Sequence, residues 1–338
     1  MNVSSETMEQ AFQLLNASIS KMQQALETSF FESYIETVEN ILDNQRVRVV
    51  DGAPTAEVVK ELEELYQQFS SLELTQSEQR NALQLVLLNG LQHEPVQPNH
   101  QLTPDALGFL FSYLGEQLLQ TKKSQPVQLL DLTVGTGNLL YTVLLYLKEA
   151  GYQVSATGID VDDTLLTIAS LNSALLKEDV TFFHQDSIQN LLVSPADLVI
   201  SDLPIGYYPH DERVEGFTVK AAEGHTYAHH LLMEQSMNYA TPDGFGIFLV
   251  PEDFLVADQA PELKKWLQEK VHLSAVVGLP ETLFQSASSR KSIIIVQNRG
   301  EQVTPPKEVL IARIPSLKDP QAIQGFFTEF AKWQKNNL

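Results

Sequence analysis

Apolar residues recur at intervals of three and four through the first quarter of the chain. Met8, Phe12, Leu15, Ile19 and Met22 make one stripe, and Phe31, Tyr34, Ile35, Val38, Ile41 and Leu42 make a second. Such spacing places each set on one face of an α-helix. Two more helices are predicted at about 55–70 and 76–90. Thr75, followed three residues later by Glu78, reads as the capping box of the last one. Within residues 1–92 only Gly52, Gly90 and Pro54 interrupt the pattern, which predicts an N-terminal α-helical domain.

Residues 93–104 hold three prolines and no periodicity, so 93–103 is predicted as a linker. A helix over about 104–121 follows, with Pro104 in its first turn. The pattern then changes. Apolar, often β-branched runs at 127–132, 154–160, 180–184, 196–202, 245–250, 272–278 and 292–297 alternate with helical spacing at about 138–150, 163–175, 225–240 and 259–270. This alternation predicts an α/β fold: a Rossmann-like domain over 104–338, with a mostly parallel sheet and helices on both faces. No helix is evident between the last two strands. An antiparallel strand at the sheet edge is therefore expected there.

Charge narrows the function classes. The 338 residues carry 43 acidic and 22 basic side chains, a net charge of −21. The N-terminal region is itself markedly acidic. No basic cluster exceeds the pairs Lys122-Lys123, Lys264-Lys265 and Arg290-Lys291. Phosphate contacts supply most non-specific affinity for nucleic acid, so unaided binding of duplex DNA is not expected. The absence of cysteine excludes disulfides and thiolate metal sites. The first ten residues lack the features of a signal peptide, and the apolar run 83–91 is too short to span a bilayer. A cytoplasmic protein with no membrane segment is expected.

The chemistry is concentrated at strand ends. Asp131-Leu132-Thr133-Val134-Gly135-Thr136-Gly137-Asn138 passes from a strand through a glycine turn into a helix. Gly135 and Gly137 allow a tight turn and close approach of a ligand, and the helix start offers free N–H groups. A dinucleotide site wants a third glycine where Leu140 stands. S-adenosylmethionine has no phosphate, and its ammonium group needs an acceptor, which Asp131 can supply. Asp160 ends the second strand, placed to accept from ribose hydroxyls, and Asp186 follows the third, placed to face an adenine amino group. A lone GxG is also what a purely structural loop shows, and a single strand-end acid is more often a helix cap. Three such acids at three successive strand ends favour a ligand.

At these residues the chain resembles the class I S-adenosylmethionine-dependent methyltransferases of the adenine-N6 type, in particular the modification subunits of type I restriction systems. Their first motif, D-P-A-C-G-T-G, corresponds to residues 131–137. Thr103-Pro104 matches a T-P pair upstream, and the resemblance implies that Thr103 contacts the methionine end of the cofactor. Leu279-Pro280-Glu281-Thr282-Leu283-Phe284 and Lys291-Ser292-Ile293-Ile294 are similar to the family's L-P-E-G-V-F and K-T-N/I-L patterns. The likeness spans about 95–300. It implies S-adenosylmethionine as cofactor, with Thr103, Asp131, Thr133, Gly135, Gly137, Asn138, Asp160 and Asp186 around it.

The family's catalytic N/D-P-P-Y/F motif stands here as Asp202-Leu203-Pro204-Ile205, followed by Gly206-Tyr207-Tyr208. In the family, the Asn or Asp oxygen and the next carbonyl accept hydrogen bonds from the target amino group, and the aromatic ring stacks on a flipped base. Asp202 and Pro204 match. Leu203 can still offer its carbonyl. Ile205 cannot stack, and Tyr207 or Tyr208 would have to replace it. The expected catalytic set is Asp202, Pro204 and Tyr207. The expected function is transfer of a methyl group to an amino group, with a protein or small-molecule acceptor, or a non-catalytic cofactor-binding module, as the alternatives. The methyl acceptor is unknown from sequence. The acidic helical domain is expected to be separable and to dock on a partner or a second copy of the chain.

Overall fold

The computed structural model describes residues 3–92, 102–284 and 286–338; the predicted linker falls almost wholly outside that set. Four helices lead: α1 (Val3–Leu26), α2 (Phe30–Leu42), α3 (Ala56–Ser70) and α4 (Gln76–Leu91). The capping box of α4 is present. The Glu78 N–H donates to Thr75 Oγ1 at 3.2 Å, and the Thr75 N–H donates to Glu78 Oε2 at 2.8 Å. Ser29 and Glu32 form a second box at the start of α2.

These helices do not stand apart from the rest. Their buried stripe, including Leu15, Ile19, Tyr34 and Leu83, joins one hydrophobic cluster with residues of the α/β domain. The buried Tyr34 hydroxyl donates to Asn172 at 2.6 Å, and Gln76 Nε2 donates to the Leu176 carbonyl at 2.7 Å. Arg80 is buried and donates to Asp105 and Thr142, each at 2.9 Å. Arg80 thereby joins α4 to α5 (Asp105–Leu118) and α6 (Asn138–Glu149).

The sheet contains β1 (Pro126–Asp131), β2 (Gln153–Asp160), β3 (Val180–His184), β4 (Ala196–Asp202), β5 (Ala240–Pro251), β6 (Val271–Gly278), β7 (Lys291–Asn298) and β8 (Leu310–Arg313). Their spatial order is β3-β2-β1-β4-β5-β7-β6-β8. The crossovers run through α6, α7 (Asp163–Leu176), α8 (Ala228–Asn238) and α9 (Ala260–Glu269). One hydrophobic cluster, containing α5 and α6, packs on one face, and a second, containing Leu231, Met233 and Trp266 of α8 and α9, packs on the other.

The antiparallel strand exists but is not at the edge. β7 is antiparallel to both β5 and β6 and lies between them. Among its described residues, the connection over 279–290 holds only two short 3-10 turns. A parallel return needs a longer crossover, usually a helix, so the chain doubles back. The run Ile293-Ile294-Ile295-Val296 is buried throughout, the signature of an interior strand. The edge on this side of the sheet is β8, parallel to β6. A final helix, α10 (Pro320–Asn337), stacks Phe327 on Tyr113 of α5 with ring centroids 3.6 Å apart. Neither β8 nor α10 carries a strong pattern in the sequence. Among the described residues no helix is long and apolar enough to cross a membrane.

Candidate active site

The parallel strands β1, β2 and β4 all end at one rim, and the turn after β1 forms its floor. Gly135 and Gly137 adopt left-handed backbone, with φ of +52° and +83°. The Gly137 N–H closes the turn on the Val134 carbonyl at 2.8 Å. A Cβ on Gly137 would lie 2.3 Å from the Tyr141 ring. This glycine is therefore required by both conformation and space.

Around that turn stand the strand-end acids. Asp131 is 1% exposed and accepts from the Thr133 N–H at 3.0 Å. Burial, reinforced by the nearby Asp160 and Asp202 carboxylates, pushes its carboxyl up to about 7 against the pull of that N–H. Asp160 accepts from the Gly135 N–H at 2.7 Å and the Asp162 N–H at 2.9 Å. Burial raises its pKa as well, although both N–H groups oppose the shift. Thr133 Oγ1 pairs with the Ser201 hydroxyl, linking the turn to β4.

Asp202, at the end of β4, is gripped from two sides. Thr103 Oγ1 donates to its Oδ2 at 2.9 Å, and the Lys291 ammonium donates to its Oδ1. Lys291 Nζ also lies 3.4 Å from the Leu203 carbonyl oxygen. Asn138 Nδ2 donates to the Thr103 carbonyl at 2.7 Å, tying the start of α6 to the segment before α5. A cleft of about 690 Å³ runs between these groups, lined by Thr103, Asp131, Thr133, Gly135, Asn138, Asp202 and Pro204 among others. That volume suits a nucleoside-sized ligand.

The remaining expected residues lie elsewhere. Asp186 is not in the cleft lining, and neither are Gly137 and Asp160, whose carboxylate accepts from the Gly135 and Asp162 N–H groups at the cleft's edge. Burial works against the ionisation of Asp186, but the Tyr208 hydroxyl at 2.6 Å, the Ile188 N–H at 3.0 Å and the Arg213 guanidinium at 2.8 Å outweigh it. They hold the carboxyl below the usual carboxylate range. Tyr207 is exposed and stacks on Tyr227 at 4.9 Å, with Tyr227 in turn stacked on His229 at 5.0 Å. Ile205, not Tyr207, faces the cleft. His229 and His230 are buried behind this stack and are kept neutral, mainly by burial, with pKa values down to about 4 and about 3.

Two further residues enter that sequence reasoning gave no role. Lys291 stood only as part of a family pattern. Thr136 has no role in the glycine motif as a pattern, yet its hydroxyl is buried in the cleft wall without a hydrogen-bond partner. Buried polar groups are nearly always satisfied, so this oxygen fits a polar ligand in the turn. A cleft with that hydroxyl, buried acids and a glycine turn fits S-adenosylmethionine.

Comparison with known proteins agrees. Residues 103–319 match the model of the N-6 DNA methylase family, and residues 9–91 match the YtxK N-terminal helical domain. The protein YtxK of Bacillus subtilis is 36% identical over 324 residues, covering 96% of each chain. A Listeria monocytogenes structure described as a class I S-adenosylmethionine-dependent methyltransferase is 39% identical, covers 97% of this chain and 99% of that one, and superimposes with a TM-score of 0.89. The type I restriction-modification methyltransferase subunit of Streptococcus thermophilus shares the fold at 13% identity, with a TM-score of 0.67 and coverage of 94% and 74%. The chain belongs to the N-6 DNA methylase family and is an S-adenosylmethionine-dependent methyltransferase.

Proposed function

We propose that the methyl group passes to an amino nitrogen held between the Asp202 carboxylate and the Leu203 carbonyl. One observation carries this reading: a single nitrogen, that of Lys291, already contacts both oxygens. Two acceptors converging on one point can take both protons of an amino group and turn its lone pair toward the cleft. The bound cofactor supplies the methyl group as an activated sulfonium, so the protein's contribution is placement. We assign Asp131 to the methionine ammonium, Asp160 to the ribose and Thr136 to a polar cofactor atom. Asp202 then stabilises the positive charge that develops on the nitrogen and accepts its proton. Asp186 is better suited to anchoring the loop through Tyr208 and Arg213 than to reading adenine.

The side chain after Pro204 argues against an extruded base as the acceptor of the isolated chain. Ile205 offers no aromatic face, and such stacking is worth about 1–3 kcal/mol per base. Tyr207 is engaged with Tyr227. With a net charge of −21, access to duplex DNA would need help from a partner, and the acidic helices α1–α4 with the α2–α3 connection, where Leu42, Val49 and Val50 are exposed, are the surface we assign to docking.

The test is methyl labelling. Purified protein with labelled cofactor is incubated with mixed-sequence DNA, and separately with a cell extract depleted of nucleic acid. Label should appear on an acceptor in the extract and fall at least about a hundredfold with Asp202→Ala, the scale on which positioning acts, while calorimetry shows the cofactor still bound. Undiminished labelling by Asp202→Ala would remove Asp202 from the reaction, and strong labelling of DNA by the chain alone would overturn the reading of its acceptor.

A further inference from the structure

Lys291 has contacts that the proposed reaction does not ask of it. It opens β7, and its side chain is only 18% exposed. Its ammonium meets Asp202 Oδ1 and the Leu203 carbonyl. Those are the two acceptors assigned above to the incoming amino group. Thr103 engages the other carboxylate oxygen. The Lys291 nitrogen therefore stands where the acceptor nitrogen must stand.

We propose that Lys291 is the resident occupant of the acceptor cradle and a specificity-determining residue of the site. An acceptor enters by displacing the Lys291 ammonium. The inference rests on the reading of Asp202 and Leu203 given above. While the cradle waits, the ammonium occupies two oxygens that otherwise face the open cleft, the Asp202 side chain being 22% exposed there. The four-carbon stem lets the ammonium swing aside along the cleft wall and keep its charge there. The cleft then holds one fixed cation beside the donor's sulfonium. A protonated amine would add another in the same confined space. The site consequently takes a neutral amino group and rejects cationic amines.

The charge of Lys291 can be read without knowing the acceptor. S-adenosylmethionine and S-adenosylhomocysteine differ by the methyl group and the sulfonium charge it creates, so the ratio of their affinities reports the potential at the sulfur. Calorimetry should show that Lys291→Met shifts this ratio toward S-adenosylmethionine by about tenfold, because a nearby positive charge has gone. Lys291→Arg, which keeps the charge, should stay within about twofold of the wild type. A merely structural role would weaken both ligands alike. Lys291→Gln serves the same purpose if the methionine variant fails to fold. Occupancy is seen directly by NMR with nitrogen-15 lysine. The Lys291 ammonium signal, assigned by its loss in Lys291→Met, should be visible in the wild type and lost to water exchange in Asp202→Ala. An unchanged affinity ratio in folded variants, or a Lys291 signal no better protected than those of the exposed Lys264 and Lys265, would overturn the inference. If that happened while Asp202→Ala still abolished transfer, the cradle would stand without its occupant. If Asp202→Ala transferred normally, the cradle itself would fall.

Discussion

Asp131 carries the clearest pH signature in the molecule. Its carboxyl is buried at the end of β1 and pushed up to about 7. Pairing with the cofactor's ammonium requires the ionised form. Below about 7 the carboxyl is protonated in the free protein, so binding must first expel a proton; above it, no such cost remains. Affinity for S-adenosylmethionine should therefore rise with pH through that value and fall below it by up to about tenfold per pH unit. Calorimetry across the range, with Asp131→Asn as the control that flattens the profile, checks this. A flat profile in the wild type would remove Asp131 from the ammonium site. At this scale the sequence was readable wherever chemistry and position coincide. Asp131, Gly135, Asn138 and Asp202 are brought to one cleft from segments about seventy residues apart. Lys291 was not readable as a partner of Asp202, because that pairing depends on β7 being inserted next to β5. Thr136 was hidden because a threonine between two glycines looks like filler until its hydroxyl is found buried and unpartnered.

Among the elements, the turn from β1 to α6 is the most constrained. Gly137→Ala would force a side chain into a backbone with φ +83° and against the Tyr141 ring. Strain of this kind costs about 1–3 kcal/mol. Thermal unfolding should show a lowered melting temperature, and cofactor affinity should fall with it. Melting and binding equal to the wild type would mean that the turn relaxes freely and does not shape the site. The order of helices and strands through β6 followed from periodicity alone. The position of β7 did not, because an unbroken apolar run marks a strand as interior without naming its neighbours. Periodicity also gave no warning of β8, four residues long with Ile311 exposed, or of α10, whose buried face is limited to Phe326, Phe330 and Trp333.

Across the whole molecule, the helical N-terminal region and the α/β domain share one hydrophobic cluster and hydrogen bonds such as Tyr34–Asn172. Helix α2 packs on α7, and α4 packs on α6 and α7, the helices that follow the cofactor turn and Asp160. Domain contrast in sequence came from composition, which says nothing about how much surface two regions bury together. One cleft, between the turn at 133–138 and Asp202, is proposed to bring cofactor and acceptor cradle together. A crystal structure with S-adenosylhomocysteine tests that most directly. The ligand should lie in this cleft, its ammonium on Asp131, its ribose on Asp160, a polar atom on the Thr136 hydroxyl, and its sulfur directed at the gap between Asp202 and the Leu203 carbonyl. A ligand bound elsewhere, or one whose sulfur points away from Asp202, would contradict it.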